Sequence, residues 1–255
     1  MFKKTLFFNL SLLLLLIISS CASRKDVVYL QDVGNFETIV DRNENLTKFK
    51  IDDVVNIFVS TLDAEASIPF NLFRSAAGGG LPSEQVDYIV DKEGEIDFPV
   101  IGALKIVGLS PNDLRALLRE KLSPYLKDPI INIRLRNFTV TLLGAVNRPG
   151  TYLVNGEQVT ILEALGLAGD LSIKGLRNNI LVIRDFNGTK VYNRIDLTDK
   201  DFMKSSGYYL TQNDVVYVEP NKSGVYESSQ DNRLGITISV ISLLITTGVI
   251  FITRN

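Results

Sequence analysis

Few residues in this 255-residue chain are equipped for chemistry. There is no histidine, which excludes histidine-based triads, histidine metal sites and histidine pH switches. The single cysteine, Cys21, excludes an internal disulfide and any multi-cysteine metal site. Carboxylates remain. Asp52 and Asp53 are adjacent, which suits a metal or acid–base pair, but adjacent acids far more often cap a turn. Glu93 and Glu95 flank Gly94, also in a turn, where solvation is the default. Gly78-Gly79-Gly80 lacks the following Lys-Ser/Thr of a phosphate-binding loop and reads as a flexible linker. Arg134 and Arg136 sit at alternate positions of a strand, where they either meet an anionic glycan or form a solvated face. No catalytic constellation, metal cluster or cofactor motif emerges, and the net charge of −2 gives no reason to expect nucleic acid.

Cys21 carries a different chemistry. Lys3 and Lys4 precede an apolar run centred on Leu12–Ile18, and Ser19-Ser20 stand before the cysteine, the layout of a secretory signal. Ile18-Ser19-Ser20-Cys21 resembles the lipobox of bacterial lipoproteins. That resemblance implies cleavage between Ser20 and Cys21 and acylation (palmitate among the chains) of the Cys21 thiol. The alternative is an ordinary buried cysteine after an uncleaved anchor. Ala22 is no acidic retention signal, so similarity to other lipoproteins favours the outer membrane. At about 0.8 kcal/mol per buried CH₂, several acyl chains anchor where one does not. Losing Lys3 and Lys4 with the signal takes 27 basic residues to 25 against 29 acidic ones, a net −4.

The elements that position these residues follow from periodicity and punctuation. Ala22–Thr47 is polar and reads as a tether or loosely packed arm. Phe49–Ser60 alternates, with Phe49, Ile51, Val55, Ile57 and Val59 as candidate buried positions, interrupted by Asp52-Asp53. Ala64–Pro82 reads as a loop. Val86–Gly108 reads as a hairpin with a glycine-marked extension, its two arms alternating around a polar turn at Lys92–Glu95, with positive φ expected at Gly94. Val86, Tyr88 and Val90 share one face, as do Ile96 and Phe98, and Pro99 belongs at an edge or bend. Ser110, Pro111 and Asp113 mark a helix start. Leu114, Leu117, Leu118, Leu122 and Tyr125 give that helix an apolar face before Pro124 ends it. Ile130–Arg136 is a strand with Ile131, Ile133 and Leu135 inward.

Phe138–Val146 and Thr151–Val154 are strands about Asn147-Arg148-Pro149-Gly150, whose proline and glycine stand in type II turn positions. Thr160–Glu163 is a capping box opening a short helix that stops at Gly169. Asn187-Gly188 joins strands Asn179–Asp185 and Thr189–Ile195. Val215–Val218 is a last strand, Lys222–Arg233 a polar linker, and Leu234–Thr253 an apolar run about 30 Å long as a helix, enough to cross a bilayer between Arg233 and Arg254.

Asp91-x-x-Gly94, Ile96-x-Phe98-Pro99-x-Ile101-Gly102 and Val107-Gly108-Leu109-Ser110 resemble the signature segment of the polysaccharide biosynthesis/export outer-membrane lipoproteins of capsule and exopolysaccharide translocons. A Gly-Asp pair commonly precedes the first strand in that family; Asp52-Asp53 stands here. The run from Gly144 through Pro149-Gly150-Thr151-Tyr152, Thr160, Glu163-Ala164-Leu165 and Ala168-Gly169 resembles the soluble-ligand-binding β-grasp repeat that follows it, with Asp170 where a second glycine is frequent and only one copy evident. The resemblance implies an α+β chain. Its parts are a signal peptide (1–20), a lipidated tether (21–47), an export-signature domain (48–136), a β-grasp domain (137–220), a linker (221–233) and a transmembrane helix (234–253). It marks Asp91, Gly94, Pro99 and Gly102 as export-signature positions.

On the last helix, Gly235, Ser239, Ser242, Thr246 and Thr253 fall within roughly 60° at ~100° per residue, opposite Val240, Leu244 and Phe251. The stripe is a helix–helix contact, a set of hydroxyls bonded to their own backbone, or the lining of a water-filled, porin-like channel in a ring of helices. The resemblance implies a non-enzymatic conduit for capsular or extracellular polysaccharide, a cyclic homo-oligomer of about eight copies, membrane lipid at both ends, a periplasmic body and an inner-membrane co-polymerase partner, often a tyrosine autokinase. The alternative is a membrane-tethered periplasmic glycan-binding or envelope-scaffolding module without a pore.

Overall fold

The computed structural model describes residues 27–34, 47–74, 84–186, 188–229 and 233–253. Two hydrophobic cores organise them. The first gathers Phe49, Val55, Ile57, Val59, Phe98, Leu114, Leu118, Leu122, Ile131 and Ile133; the second runs from Phe138 to Val218; Leu135 packs against both.

The first core lies under a three-stranded antiparallel sheet ordered β4-β1-β7, of Tyr88–Ile89, Val54–Ser60 and Ile130–Leu135. Alternation sends Val55, Ile57 and Val59 inward, and Ile131 and Ile133 follow on β7. Helix α2 (Pro111–Leu122) covers that face with Leu114, Leu118 and Leu122. The expected helix start is present and closes a capping box: the Asp113 amide donates to Ser110 Oγ at 3.1 Å and the Ser110 amide to Asp113 Oδ2 at 3.0 Å. Tyr125 is exposed instead of continuing the helix face, because the helix ends at Leu122 and Leu126 turns inward in its place.

The arms of Val86–Phe98 do not form one hairpin. β4 joins β1, while β5 (Glu95–Phe98) pairs with β6 (Gly102–Lys105). Tyr88, Val90, Ile96 and Phe98 are all buried, as the alternation requires. Alternation names a face and not a partner. The expected loop after β1 holds a short helix, α1 (Ala64–Ser67), capped by Asp63, then a 3₁₀ turn at Ile68–Phe70. Strands β2 (Phe73–Arg74) and β3 (Glu84–Gln85) pair beyond it. Gly78–Gly80 lies outside the described residues.

The second core sits against a five-stranded sheet ordered β12-β11-β14-β8-β9. β8 (Thr139–Gly144) pairs antiparallel with β9 (Gly150–Leu153) and parallel with β14 (Val215–Pro220). β11 (Gly175–Phe186) and β12 (Thr189–Ile195) pair antiparallel, with Gly188 before β12 at φ +80°; Asn187 lies outside the described residues. Between β9 and β11 lie β10 (Val159–Thr160) and helix α3 (Ile161–Leu167) with its Thr160–Glu163 capping box; β10 pairs with β13 (Tyr209–Leu210), which precedes β14. Gly150 opens β9 opposite Leu142 without a left-handed φ, so the turn before it is not type II.

The expected linker after β14 contains helix α4 (Lys222–Ser229). Asn221 starts it by accepting the Gly224 amide at 3.0 Å, and Lys174 and Glu227 form an ion pair. Helix α5 (Arg233–Thr253) follows. Among the described residues no helix is long and apolar enough to cross a membrane, so the expectation of a bilayer-spanning segment is not supported. The N-terminal arm is also tighter than its polarity implied. Leu30 and Gln31 amides donate to Leu197 and Thr198 carbonyls at 3.0 and 2.8 Å, and Asp32 accepts the Lys200 amide at 2.8 Å.

Candidate functional site

Asp91, Gly94, Pro99 and Gly102, the positions expected to carry the export signature, occupy two turns at opposite ends of one strand. In the first, Asp91 accepts the Gly94 amide on its carbonyl (3.0 Å) and the Glu95 amide on Oδ1 (2.7 Å). Gly94 has φ +79°, and its carbonyl accepts from Ile106 and Val107 at 3.0 and 3.1 Å. A Cβ there would lie 2.4 Å from Val107 Cγ1, so the site excludes any side chain as well as the conformation. In the second, Pro99 opens a three-residue loop between β5 and β6, and Gly102 (φ +85°) pairs with Phe98 where a Cβ would meet nothing within 4 Å. Asp91 and Gly94 are thus brought together, as are Pro99 and Gly102, but the two pairs are not. Both pairs build backbone and present no catalytic group.

Asp52 and Asp53 also shape a turn. Asp52 has φ +67°, the left-handed region glycine occupies most easily. A glycine, as in the Gly-Asp pair that the resemblance implies here, would take this conformation without a side-chain penalty. Asp53 is 2 % exposed and its Oδ2 accepts the Lys50 amide at 2.8 Å. Burial pushes its carboxyl up to about 6, opposed by that hydrogen bond and by the Lys50 charge. Neither aspartate belongs to a metal cluster; among the described residues no group of three acidic or cysteine side chains could hold one.

The outward face of the β4-β1-β7 sheet forms an open groove of about 410 Å³ lined by Asn56, Phe58, Gln85, Asp87, Asn132, Arg134 and Arg136. Cross-strand register sets Phe58 beside Asn132 and Asn56 beside Arg134. Asp87 accepts from Asn56 Nδ2 at 2.7 Å and pairs with Arg136 Nε at 3.4 Å. A second groove of about 430 Å³ runs along the other side of β7, where Arg115 and Glu157 pair at 3.7 Å. Sequence reasoning found Arg134 and Arg136 but missed Phe58, Asn56 and Asp87. The alternation of β1 already places Phe58 outward; its neighbours required the strand order.

The two cores are joined by polar clasps. Asn137 accepts the Val54 amide and donates to the Asp52 carbonyl, both at 3.0 Å. Buried Gln212 accepts the Thr139 amide at 2.9 Å and donates to the Asn137 carbonyl at 2.5 Å. Deeper in the second unit, Asp214, fully buried, receives Arg184 Nε on both oxygens at 3.1 Å and Arg184 Nη2 at 2.7 Å, with Thr211 donating twice more. On the N-terminal arm, Tyr29 donates to Asp170 and lies 5.6 Å from the Arg177 guanidinium. Burial, followed by the Asp170 contact, raises its phenol well above the ordinary range.

Ser20 and Cys21 lie outside the described residues. On α5, Ser239 Oγ donates to the Gly235 carbonyl at 2.8 Å and Thr246 Oγ1 to the Ser242 carbonyl at 2.7 Å. Each hydroxyl keeps acceptor capacity toward a neighbour or water. Ile236, Ile238, Val240, Ile241, Leu243 and Leu244 are all exposed on the same helix.

Residues 42–136 match the family described as polysaccharide biosynthesis/export protein. The chain is similar to the EPS I polysaccharide export outer membrane protein EpsA of Ralstonia nicotianae, 32 % identical over 100 residues, 38 % of this chain and 26 % of that protein. It is also similar to the protein of the same name from Ralstonia solanacearum, 27 % identical over 158 residues, 60 % of this chain and 39 % of the relative. The matched stretch therefore spans between a quarter and two-fifths of those proteins. Residues 42–136 contain both of these turns and the whole β4-β1-β7 sheet, and it is this stretch of the chain that is similar to the polysaccharide biosynthesis/export protein family.

Proposed function

We propose that this protein takes part in export of a capsular or extracellular polysaccharide across the outer membrane, as a passive conduit rather than an enzyme. The observation that carries the reading is the match of residues 42–136 to the export family, with Asp91, Gly94, Pro99 and Gly102 seated on paired structural turns. The names of the two relatives support the outer-membrane setting.

In this reading, acylated Cys21 anchors each copy, residues 48–136 form the export domain, residues 137–220 form a β-grasp domain, and copies close into a ring around the polymer's path. A heterologous contact that closes by rotation makes such a ring. Two observations favour it. The N-terminal arm is hydrogen-bonded to the second unit, and α4 and α5 leave the same unit after β14, so the lipidated arm and the C-terminal helices start from one unit. The exposed apolar residues of α5 call for a cover. A ring of α5 helices covers them against neighbouring copies, with Gly235, Ser239, Ser242 and Thr246 facing the axis. An inner-membrane co-polymerase supplies the polymer.

The alternative, a glycan-binding module without a pore, is favoured by the Phe58 groove. Deleting the gene separates the two. The conduit predicts that surface polymer disappears while polymer or its precursors accumulate inside the envelope; unchanged surface polymer contradicts it.

A further inference from the structure

We infer that the outward face of the β4-β1-β7 sheet is a binding site for an acidic, carboxylate-bearing polysaccharide, with Phe58 as its stacking platform and Arg134 as its carboxylate receptor. The inference rests on the export reading for the occasion on which a polymer meets this face.

The face is neither an ordinary solvated surface nor an apolar docking patch. Phe58 is 39 % exposed at the centre of a shallow groove whose other lining side chains are all amides or charges. Protein interfaces bury a core depleted in charge. A lone aromatic ring among amides, carboxylate and guanidinium instead fits a ligand that is apolar on one face and hydroxylated at its rim, as a pyranose is. The ring offers flat apolar surface to sugar C–H groups. Asn132 stands beside it, and Asn56 and Arg134 stand two residues along their strands, about 7 Å away. Hydroxyls of successive sugars can therefore reach amide donors and acceptors on both sides of the platform.

Charge decides the class of sugar. The two grooves that meet along β7 are lined by three arginines and two carboxylates. Asp87 is paired with Arg136 and further neutralised by the Asn56 amide, and Glu157 is paired with Arg115. Arg134 lines both grooves, and its side chain makes no ion pair or hydrogen bond among the described residues. One unpaired guanidinium thus tops the ridge in a chain whose net charge is −2. A guanidinium holds a carboxylate through two parallel hydrogen bonds, a geometry that a neutral hydroxyl cannot match. The pairing of Asp87 and Glu157 keeps the face from repelling a polyanion.

The test is calorimetric titration of the detergent-extracted full-length protein with oligogalacturonate as the acidic probe and a maltooligosaccharide of equal length as the neutral one. Oligogalacturonate is expected to bind at least several-fold more tightly, and more weakly as salt rises. R134Q should weaken oligogalacturonate roughly tenfold and leave the maltooligosaccharide unchanged. F58A should weaken both, and R119Q, on α2 away from the groove, neither. Arg134 and Phe58 are exposed, so unchanged thermal unfolding of the variants keeps loss of binding distinct from loss of fold. Equal affinity for the two sugars, or oligogalacturonate binding indifferent to R134Q, overturns the inference. The titration reads the face alone and the gene deletion reads export alone, so either proposal can fail without the other.

Discussion

Gly94 and Gly102 offer a matched pair for asking what the export signature does physically. Both have left-handed φ, +79° and +85°. Replacing either by alanine introduces the same conformational penalty, about 1–2 kcal/mol, partly offset by a stiffer unfolded chain, about 0.4–1 kcal/mol. For Gly102 that is the whole effect, because nothing lies within 4 Å of the new Cβ, and G102A should destabilise by about 1 kcal/mol. Gly94 adds a collision with Val107 Cγ1 at 2.4 Å. Val107 cannot retreat freely, since its amide and that of Ile106 both donate to the Gly94 carbonyl. Overpacking of this kind adds typically 1–3 kcal/mol, bringing G94A to about 2–4 kcal/mol. Urea unfolding of the full-length protein in detergent, followed by circular dichroism, measures both. A double-mutant cycle with V107A should recover about 1 kcal/mol or more of the G94A loss and none of the G102A loss. Equal losses for the two variants, or no coupling to Val107, would refute the steric account of Gly94.

Asp53 makes stability pH-dependent. Its folded-state pKa lies above the ordinary 3.8, at about 6, so the folded protein binds this proton more tightly than the unfolded chain. Stability from this group is therefore full below about pH 4 and lost as pH rises to about 6, by on the order of 1–3 kcal/mol; D53N should flatten that part of a pH–unfolding profile. For the buried Arg184–Asp214 pair, D214A should destabilise by about 3–5 kcal/mol, because it strands the guanidinium, whereas the R184M/D214L double variant should recover much of the loss in the same unfolding assay. On α5, S242L/T246L should leave oligomer assembly intact but reduce surface polymer measured by uronic-acid assay; normal export would remove the stripe from the polymer's path.

Where a signal was local, the sequence carried it. Ser110–Asp113 and Thr160–Glu163 form their capping boxes because the partners lie three residues apart. Gly94 declares its φ because a polar turn needs it, and Gly188, at φ +80° between β11 and β12, does the same. Pairing was less legible. The arms around Gly94 alternate as two strands of a hairpin would, yet one joins β1 and the other β6, since buried faces were satisfied by several partners. The parallel β8–β14 contact joins segments more than 70 residues apart and leaves no local mark. Polarity misled at Lys222–Ser229, a helix held by Asn221 and a tertiary ion pair, and in the arm around Tyr29, whose order comes from backbone hydrogen bonds to Leu197 and Thr198. The Phe58 groove was half legible: alternation sets Phe58 and Arg134 outward, and only the strand order makes them neighbours.

The central claim is that copies of this chain close around the path of a polysaccharide. Native mass spectrometry of the full-length protein extracted from its own membranes tests it most directly. The account predicts one high-order closed oligomer whose protomers carry the added mass of acyl chains at Cys21. A monomer or dimer under the same conditions would contradict it.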